Sequence, residues 1–330
     1  MTEPITLHAH VEGSSAPDAA ELAVLLGQLA VAGKIVAREL ASAALVGQLG
    51  PTGATNVQGE AVKKLDAWAN DVVVRALEAT GLVSALVSEE SDEPIRPAAP
   101  GARGGYVVCV DPVDGSSNLD VNGIVGTIFS IRRSGGPGDD TRQPGTAQVA
   151  AGYIMYGPAT LMVLTTGDGV DGFTLDPTSG EFVCSHHRIR IPTRGRIYSV
   201  NEGNFAKWEP GVQRYIRHLR TPDVPTGRPY TARYVGSLVA DFHRTLLEGG
   251  IYLYPPEASR ASGKLRLQYE AAPMAFLAEQ AGGRASTGHE RIMTIDPATP
   301  HARVPLVIGS PDDVAMAEDF IGGRQWRRSR

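Results

Sequence analysis

The stretch Asp111–Ser117 (DPVDGSS) places two carboxylates and two hydroxyls directly after an apolar run, Tyr106–Val110. The run predicts a buried strand that ends in a turn. Pro112 has a fixed φ, and Gly115 allows backbone conformations that other residues resist. Carboxylates bind hard cations, whereas hydroxyl and backbone N–H groups bind phosphate. The stretch therefore offers both halves of a metal-assisted phosphate site, although Asp-Pro and Asp-Gly pairs are also common in purely structural turns.

A second acidic feature, the pair Glu89-Glu90, ends another apolar run, Leu82–Ser88. Since open α/β sheets place their ligands outside the carboxyl ends of the strands, we expect this pair to lie beside Asp111 and Asp114. Carboxylates at such distances repel each other unless cations lie between them. Ligation by oxygen alone favours Mg²⁺ or Mn²⁺ over zinc. Taken alone, the glutamate pair is equally compatible with a solvated strand end.

A third cluster, Lys264–Glu270 (KLRLQYE), alternates two cations with apolar residues and ends in a carboxylate before a predicted helix. On a strand, Lys264, Arg266 and Gln268 would share one face. In a functional interpretation Lys264 contacts a phosphate and Glu270 contacts a metal. In a structural interpretation the two cations only form a solvated strand face.

Composition and charge narrow the class of protein. A chain of 330 residues with 42% hydrophobic and 20% charged residues has ample core material for about two domains or lobes. The net charge of −5 argues against nucleic-acid binding. No run of apolar residues approaches the ~20 that cross a bilayer, and residues 1–18 show no basic-plus-apolar pattern, so a signal peptide is not expected there. No membrane partner is therefore expected.

The cysteines point to a reducing compartment. Cys109 and Cys184 are far apart in the sequence, and neither has the neighbour spacing of a metal ligand. A disulfide framework is excluded, so a cytoplasmic location is expected. His186-His187 lies in a predicted polar loop and is not expected to bind a metal.

The hydrophobic pattern predicts alternating helices and strands. Helices are predicted at 19–46, 62–76, Gly211–Leu219, Leu238–Glu248 and Ala271–Gln280, with a last helix that Ser310 caps. Strands are predicted at Leu82–Ser88, Tyr106–Val110, Val125–Ile131, Arg196–Val200, Ile251–Tyr254 and Val304–Ile308, with further strands between Gln148 and Phe182. Gly50–Gly59 and Arg132–Gly145 are predicted as loops.

Several of these segments together resemble class I fructose-1,6-bisphosphatase. They are VSEE, VCVDPVDGSSNLDVNGIVGTIFSI, AAGYIMYG, IYSVNEGN, ARYVGSLVADFHRTLLEGGIYLYP, GKLRLQYEAAPMAFLAEQAGG and GSPDDV, in one order from about residue 19 to 320. The DPVDGSS turn alone would also fit inositol monophosphatases and related lithium-sensitive phosphatases. The resemblance implies an α/β, layered α-β-α-β-α sugar phosphatase fold with two mixed-sheet subdomains, 1–188 and 189–330. The first would hold regulatory-type helices with the metal and 1-phosphate site, and the second the sugar and 6-phosphate site.

The resemblance also implies a metal site and a water-activating pair. Asp66 would help Glu90 to activate the attacking water, and the loop 51–62, which contains Glu60, would close over the metals. The implied metal ligands are Glu89, Glu90, Asp111, the carbonyl of Val113, Asp114 and Glu270.

The substrate contacts that the resemblance implies fall into three groups. Around the 1-phosphate they are Asp114, Gly115, Ser116 and Ser117. Along the sugar they are Gly236, Ser237 and Leu238, and around the 6-phosphate and sugar they are Asn201, Tyr234, Tyr254 and Lys264, with Arg266 as a further substrate contact. Arg233 matches an arginine that reaches into the neighbouring subunit's site, which implies an oligomer, by resemblance a homotetramer.

The implied activity is metal-dependent hydrolysis of the 1-phosphate of fructose 1,6-bisphosphate. Dual action on sedoheptulose 1,7-bisphosphate stays open, as does the pathway, gluconeogenesis or carbon fixation. An inositol-type monophosphatase would leave Lys264, Arg233 and Tyr254 without a second phosphate. A catalytically inactive sugar-phosphate sensor would require the loss of a metal-binding or water-activating carboxylate, and all of these are present.

The positions that match the family's AMP site differ here. AMP-inhibited members bind the nucleotide phosphate at a helix start with two threonines and a nearby Lys-Tyr pair. The matching positions are Ala19, Ala23 and Gly105-Tyr106, although Arg133 is kept. Two hydroxyls and one ammonium group are missing, so weak or absent AMP inhibition is expected.

Overall fold

The computed structural model describes residues 5–45, 49–55, 61–97, 104–135, 139–257 and 259–323. Its helices are α1 (Leu7–Glu12), α2 (Ala19–Ser42), α3 (Lys64–Glu78), α4 (Pro210–Arg220), α5 (Leu238–Glu248), α6 (Ala272–Gln280) and α7 (Pro311–Ile321). The first strands are β1 (Pro51–Thr55), β2 (Ala61–Lys63), β3 (Val83–Ser88), β4 (Tyr106–Asp114), β5 (Val125–Arg133), β6 (Gln148–Tyr156), β7 (Thr160–Thr165), β8 (Asp171–Leu175) and β9 (Phe182–His186). The later strands are β10 (Ile197–Ser199), β11 (Thr231–Ala232), β12 (Ile251–Tyr254), β13 (Leu265–Arg266), β14 (Arg284–Ser286), β15 (Arg303–Val304) and β16 (Leu306–Gly309).

The larger sheet has the strand order β3-β4-β5-β6-β7-β8-β9. β3 and β4 are parallel, and each following pair is antiparallel. Every residue of β4 is buried, as the unbroken apolar run Tyr106–Val110 predicts for a strand covered on both faces. The sheet therefore lies inside the molecule and carries the DPVDGSS stretch at the end of a core strand.

The smaller sheet has the order β11-β10-β12-β16-β14 and is also mixed. β10 pairs in parallel with both β11 and β12, whereas β16 runs antiparallel to β12 and β14. It is built from the part of the chain that follows the larger sheet.

Three hydrophobic cores stack the two sheets between layers of helices. One core packs α2 and α3 against one face of the larger sheet. A second core, with α5 and α6, joins the other face of this sheet to the smaller sheet. A third packs α4 and α7 on the outer face of the smaller sheet. The order of layers is α-β-α-β-α, which confirms the predicted fold class. The division at residues 188 and 189 stays a prediction.

Helix α2 has the length and apolar composition of a possible membrane span, which the sequence did not lead us to expect. Half of its most apolar window is buried inside the molecule. Leu22, Leu25, Leu29 and Val36 belong to the first core. A helix whose apolar stripe is covered by a sheet has the pattern of a core helix in a globular protein.

Two predicted loops begin as strands. β5 continues to Arg133, and Arg132 is fully buried, with its guanidinium donating to Ser130 Oγ at 2.8 Å and to Cys109 Sγ at 3.2 Å. The predicted loop begins at Arg132, which is too early. The two charged residues Arg132-Arg133 indicate a loop in the sequence, although they are the last residues of the strand. In the loop predicted at Gly50–Gly59, β1 pairs with β2 as an antiparallel hairpin. Residues 56–60, with Glu60, lie outside the described residues.

One further local prediction is wrong and another holds only in part. Gln268 does not continue a strand from Lys264, because β13 ends at Arg266 and a π-helical turn, Leu267–Ala271, follows. The Gln268 carbonyl accepts a hydrogen bond from the Ser130 hydroxyl on β5. Ser310 is the N-cap residue of α7, as predicted, but its Oγ makes no cap and instead accepts a hydrogen bond from Gly250 N–H at 2.9 Å.

Candidate active site

The first four residues of the DPVDGSS stretch, Asp111–Asp114, form the irregular end of β4, and a left-handed turn at Gly115 and a 3-10 helix, Ser116–Val121, follow it. The pairing with β5 shifts register between Asp111 and Asp114. Val113 N–H donates to Asp111 Oδ1 at 3.0 Å, and the Thr127 hydroxyl donates to the Pro112 carbonyl at 2.7 Å. An irregularity of this kind re-aims side chains at the end of a strand. It leaves both aspartates buried at one place in the molecule.

Glu270 meets these aspartates from the other half of the chain. It lies in the π-helical turn before α6, where its carboxylate accepts a hydrogen bond from Arg266 N–H at 2.7 Å. The Ser130 hydroxyl donates to the Gln268 carbonyl at 2.9 Å and so fixes the turn against β5. Such π-helical insertions are frequent at functional sites. Carboxylate oxygens of Asp111, Asp114 and Glu270 all lie within 4.8 Å of one another, so the three form a candidate metal-binding group.

Asp114 is held by the start of α5. Its Oδ2 accepts hydrogen bonds from the Ser237 hydroxyl at 2.8 Å and from Val239 N–H at 2.9 Å. The neighbouring Gly115 has φ of 75°, and a Cβ there would lie 2.7 Å from Ser237 Cβ. Glycine is thus required for both the backbone conformation and the close approach of α5.

Arg266 contacts the carboxylates directly. Its guanidinium lies 2.8 Å from Glu89 Oε1 and 3.8 Å from Glu270 Oε2, and its side chain is 5% exposed. The sequence assigned Arg266 to the substrate. In the structure it is paired with two of the predicted metal ligands, and a contact with substrate stays a prediction.

Asp111, Asp114 and Glu270 resist ionisation. Burial, together with the charge of Glu89, raises the pKa of Asp114 to about 6 and that of Glu270 to about 8. Burial and the charges of Glu89, Asp114 and Glu270 hold the pKa of Asp111 well above its usual range. Carboxylates gathered in this way ionise together only when a positive charge joins them. The group therefore has the electrostatics of a cation site.

Asp66 lies in the first turn of α3. Its Oδ2 accepts from Lys63 N–H at 3.4 Å, and its buried Oδ1 accepts no hydrogen bond from the residues that the structure describes. Burial raises the pKa of Asp66 to about 6, and the charge of Glu89 adds to this effect. A buried carboxylate oxygen without a donor fits a role toward a bound ion, water or substrate.

These side chains border one cavity of about 490 Å³. Its lining includes what we call the carboxylate group, which is Asp66, Glu89, Glu90, Asp111, Asp114 and Glu270. It also includes what we call the tyrosine–lysine group, which is Asn201, Tyr234, Tyr254 and Lys264. The other predicted residues on its walls are Val113, Gly115, Ser116, Ser117, Gly236, Leu238 and Arg266.

Two predicted residues do not belong to the described lining. Ser237 is buried behind the wall, where it binds Asp114. Arg233 is exposed, and its backbone N–H donates to the Tyr198 carbonyl at 3.0 Å. The individual roles of all the site residues stay predictions.

Sequence reasoning missed two polar residues of the cavity wall, Asn118 and Tyr252. Asn118 follows Ser117 directly and could have been found by extending the motif. Tyr252 lies two residues before Tyr254 on β12, so both side chains lie on the same face of the strand.

The comparisons with known proteins agree with this geometry. A family model described as "Fructose-1-6-bisphosphatase, N-terminal domain" matches residues 6–187, and one for the C-terminal domain matches residues 191–322. A protein of Chlorobium luteolum named fructose-1,6-bisphosphatase class 1 is 51% identical over 332 residues, which cover 98% of this chain and 99% of the relative. A protein of Cytophaga hutchinsonii with the same name is 51% identical and covers 94% of this chain and 91% of its own.

Solved structures give the same result. The crystal structure of Leishmania major fructose-1,6-bisphosphatase in holo form matches with a TM-score of 0.91 and 41% identity, over 96% of this chain and 98% of that one. The T-state structure of the same enzyme matches with a TM-score of 0.86 and 39% identity, over 97% and 99%. The layered fold and the acidic cavity, together with these matches, define a phosphatase, a hydrolase of phosphoric monoesters. The chain belongs to the class 1 fructose-1,6-bisphosphatase family, which confirms the resemblance found in the sequence.

Proposed function

We propose that this chain hydrolyses the 1-phosphate of fructose 1,6-bisphosphate, giving fructose 6-phosphate and phosphate, in a metal-dependent reaction. The observation that carries the proposal is the single cavity that joins buried carboxylates to a lysine and two tyrosines. An acidic cavity repels a bisphosphate unless cations lie between them, and a distant cation suits a second phosphate. The names of the relatives agree with this substrate.

The carboxylate group fits a hard divalent ion, Mg²⁺ or alternatively Mn²⁺. The donors are oxygens, three of the carboxylates approach within 4.8 Å, and the charge they share is incompletely balanced. When bound, such an ion polarises the phosphoryl oxygens and lowers the pKa of a water molecule. The residues that would hold it are Glu89, Glu90, Asp111, the Val113 carbonyl, Asp114 and Glu270.

Asp66 and Glu90 would act on the attacking water. The buried Oδ1 of Asp66 has no donor among the described residues, so it is available to accept the proton of the water. A pKa of about 6 suits a base that works near neutral pH. Ser116, Ser117 and the backbone at Gly115 would hold the 1-phosphate, since hydroxyl and N–H groups suit its oxygens.

The tyrosine–lysine group would hold the rest of the substrate. Asn201, Tyr234 and Tyr254 also border a second pocket, whose described lining has no member of the carboxylate group. They therefore lie away from the reacting phosphate, where Lys264 would add a positive charge for the 6-phosphate. Binding energy at a remote phosphate can position the substrate for reaction. The backbone from Gly236 to Leu238 would line the sugar.

The experiment is a phosphate-release assay on fructose 1,6-bisphosphate with Mg²⁺, with Mn²⁺ and after chelation. We expect release that needs the metal, and fructose 6-phosphate as the product. A parallel assay with sedoheptulose 1,7-bisphosphate tests whether the chain also hydrolyses this second substrate. Binding of the sugar phosphate without release under any metal would overturn the proposal in favour of a sensor.

We also infer that the chain works as a cytoplasmic homotetramer in which Arg233 reaches the neighbouring cavity. Its exposed position outside the described lining of its own cavity supports this inference. Sedimentation should give four times the mass of one chain. Arg233→Ala should raise KM and leave the tetramer intact, and a monomer with full activity would contradict the inference.

AMP inhibition should be weak or absent. At the start of α2, Asp18 pairs with Arg133, and Glu21 accepts a hydrogen bond from the Tyr106 hydroxyl at 2.7 Å. Carboxylates beside this helix start disfavour a nucleotide phosphate. In the phosphate-release assay, AMP titrated to millimolar concentrations should leave the rate almost unchanged. Half-inhibition at low micromolar AMP would refute this.

A further inference from the structure

A second group of metal-binding side chains lies on the larger sheet. Asp171 on β8, Cys184 on β9 and His187 just beyond β9 offer donor atoms that all lie within 4.8 Å of one another. The described lining of the active-site cavity includes none of these residues. Their donors are a carboxylate, a thiol and an imidazole, a chemistry different from that of the oxygen-only carboxylate group.

Asp171 is the centre of this group. Its carboxylate is buried, with Oδ1 2.9 Å from His187 Nδ1 and Oδ2 3.3 Å from His10 Nε2. Arg188 N–H donates to Oδ1 at 2.8 Å and orients the carboxylate. Two imidazoles from distant parts of the chain thus converge on one buried acid. His10 adds a fourth donor residue to the three.

The backbone already brings the three segments together. Cys184 N–H donates to the Ile5 carbonyl at 2.9 Å, which joins the residues before α1 to β9. Phe173 pairs with Cys184, and the register between β8 and β9 shifts beside this pair. Arg188 has φ of 48°, an uncommon conformation for a residue with a side chain, directly after His187. Main-chain structure therefore fixes the segments that carry the donors.

We propose that Asp171, Cys184, His187 and His10 form a site for a borderline-soft divalent ion of the Zn²⁺ class, separate from the active site. Thiolate and imidazole ligands select Zn²⁺ or Co²⁺, whereas Mg²⁺ prefers oxygen. Four ligands at zinc bond lengths lie about 3.3 to 3.7 Å apart in a tetrahedron. Asp171, Cys184 and His187 already lie within 4.8 Å of one another, a limit not far above this spacing. His10 Nε2 lies 3.3 Å from Asp171 Oδ2, and its ring centroid is 6.4 Å from that of His187, so its side chain would have to move toward the other donors to complete the site.

A bound ion would fasten α1 to β8 and β9. Since His10 is on α1 and the other three ligands are on or beside the sheet edge, ligation crosslinks segments far apart in sequence. An ion that binds the folded chain better than the unfolded one raises its stability. The site is therefore structural in effect and does not depend on the proposed hydrolysis.

Cobalt titration of the full chain tests the proposal, with excess Mg²⁺ present to occupy the carboxylate group. We expect one Co²⁺ per chain to give a near-ultraviolet sulfur-to-cobalt charge-transfer band that Zn²⁺ then abolishes. Cys184→Ser should lose the band, and His187→Asn should weaken cobalt binding at least about tenfold. His186→Asn is the matched control, because His186 Nδ1 lies 2.9 Å from Ser185 Oγ and should leave the band unchanged.

A second measurement needs no variant. Zn²⁺ should protect Cys184 from alkylation in the native protein, as read by mass spectrometry, while the fully buried Cys109 stays unmodified throughout. Zinc should also raise Tm in the presence of Mg²⁺. No cobalt band in the native protein, a band that persists in Cys184→Ser, or equal alkylation with and without Zn²⁺ would each overturn the proposal.

Discussion

The carboxylate group and the tyrosine–lysine group share one cavity but differ in how the fold holds them. Asp111, Asp114 and Glu270 are buried and accept hydrogen bonds from backbone N–H groups. Tyr234, by contrast, is 40% exposed, and Asn201 is exposed as well. The buried carboxylates, whose charge is costly to bury, are held in place by backbone hydrogen bonds. The exposed side chains of the tyrosine–lysine group are freer to change their orientation. The difference suggests that one group governs the chemical step and the other governs binding.

Kinetic constants can test this division. A contact made only in the transition state lowers kcat when it is removed, whereas a contact made equally in the bound substrate raises KM. Substitutions in the carboxylate group should therefore act on kcat, and substitutions in the tyrosine–lysine group on KM.

The largest effect is expected from Asp111→Asn. Loss of a carboxylate at the centre of the buried group should lower kcat about 10³-fold, which corresponds to about 4 kcal/mol of barrier. Metal affinity, measured by calorimetry, should fall as well. Asp176→Asn is the control, because this aspartate lies in the turn between β8 and β9 and accepts hydrogen bonds only locally in the described residues. An unchanged kcat in Asp111→Asn would contradict the assignment of the chemical step to the carboxylate group.

A smaller loss is expected from Asp66→Asn. Removal of a general base typically costs 10² to 10⁴-fold, and we expect about 10²-fold in kcat because Glu90 remains. KM should stay within about twofold, since ground-state contacts are kept. Asp71→Asn, on the exposed face of the same helix, is the matched control. A large rise in KM with normal kcat would assign Asp66 to substrate binding instead.

For the tyrosine–lysine group, Lys264→Met should raise KM about 10 to 100-fold, because a hydrogen bond to a charged group is worth about 1.5 to 3 kcal/mol. The fall in kcat should be less than about threefold. Lys34→Met, which removes a surface pair with Glu181, should change neither constant. If Lys264→Met lowered kcat as strongly as Asp66→Asn does, the two groups would not be separate in function.

The last prediction concerns pH and stability, and its effect per pH unit is the smallest of the four. The pKa of Glu270 rises from 4.5 to about 8 on folding, so between these pH values the folded chain keeps a proton that the unfolded chain has lost. Glu270 alone should therefore lower the stability of the metal-free protein as pH rises through this window, by at most about 1.4 kcal/mol per pH unit. The raised pKa values of Asp66 and Asp114 act in the same direction at the lower end of the window. Thermal unfolding after chelation measures this dependence. Glu270→Gln or added Mg²⁺ should flatten the profile, and stability that rises with pH would contradict the prediction.

The sequence predicts which residues line the cavity better than it predicts the strand ends and the strand register that position them. The convergence of Glu89, Asp111 and Glu270 follows from strand ends and from the family resemblance, because these signals are local. The register shift that re-aims Asp111 and Asp114 depends on pairing with β5, which no local pattern contains. Arg132 was assigned to a loop, since charge at a strand end normally indicates solvent.

The second metal-binding group could not be predicted for a similar reason. Cys184 and His187 are three residues apart in the sequence, but this pair alone does not define a metal site, because Asp171 and His10 come from other segments. Only the pairing of β8 with β9 and the docking of α1 bring the four together. Sites assembled from distant segments require the fold to be known first.

Asp114 links the two halves of the chain. Its carboxylate, which belongs to the carboxylate group, also accepts hydrogen bonds from Ser237 and Val239, at the start of α5 in the later half of the chain. A nascent chain in which the larger sheet has formed before α5 docks would lack this contact, and without Glu270 it would also lack the opposite wall. Catalytic competence is thus conditional on completed assembly, and a half-made enzyme cannot consume sugar phosphates during its own synthesis.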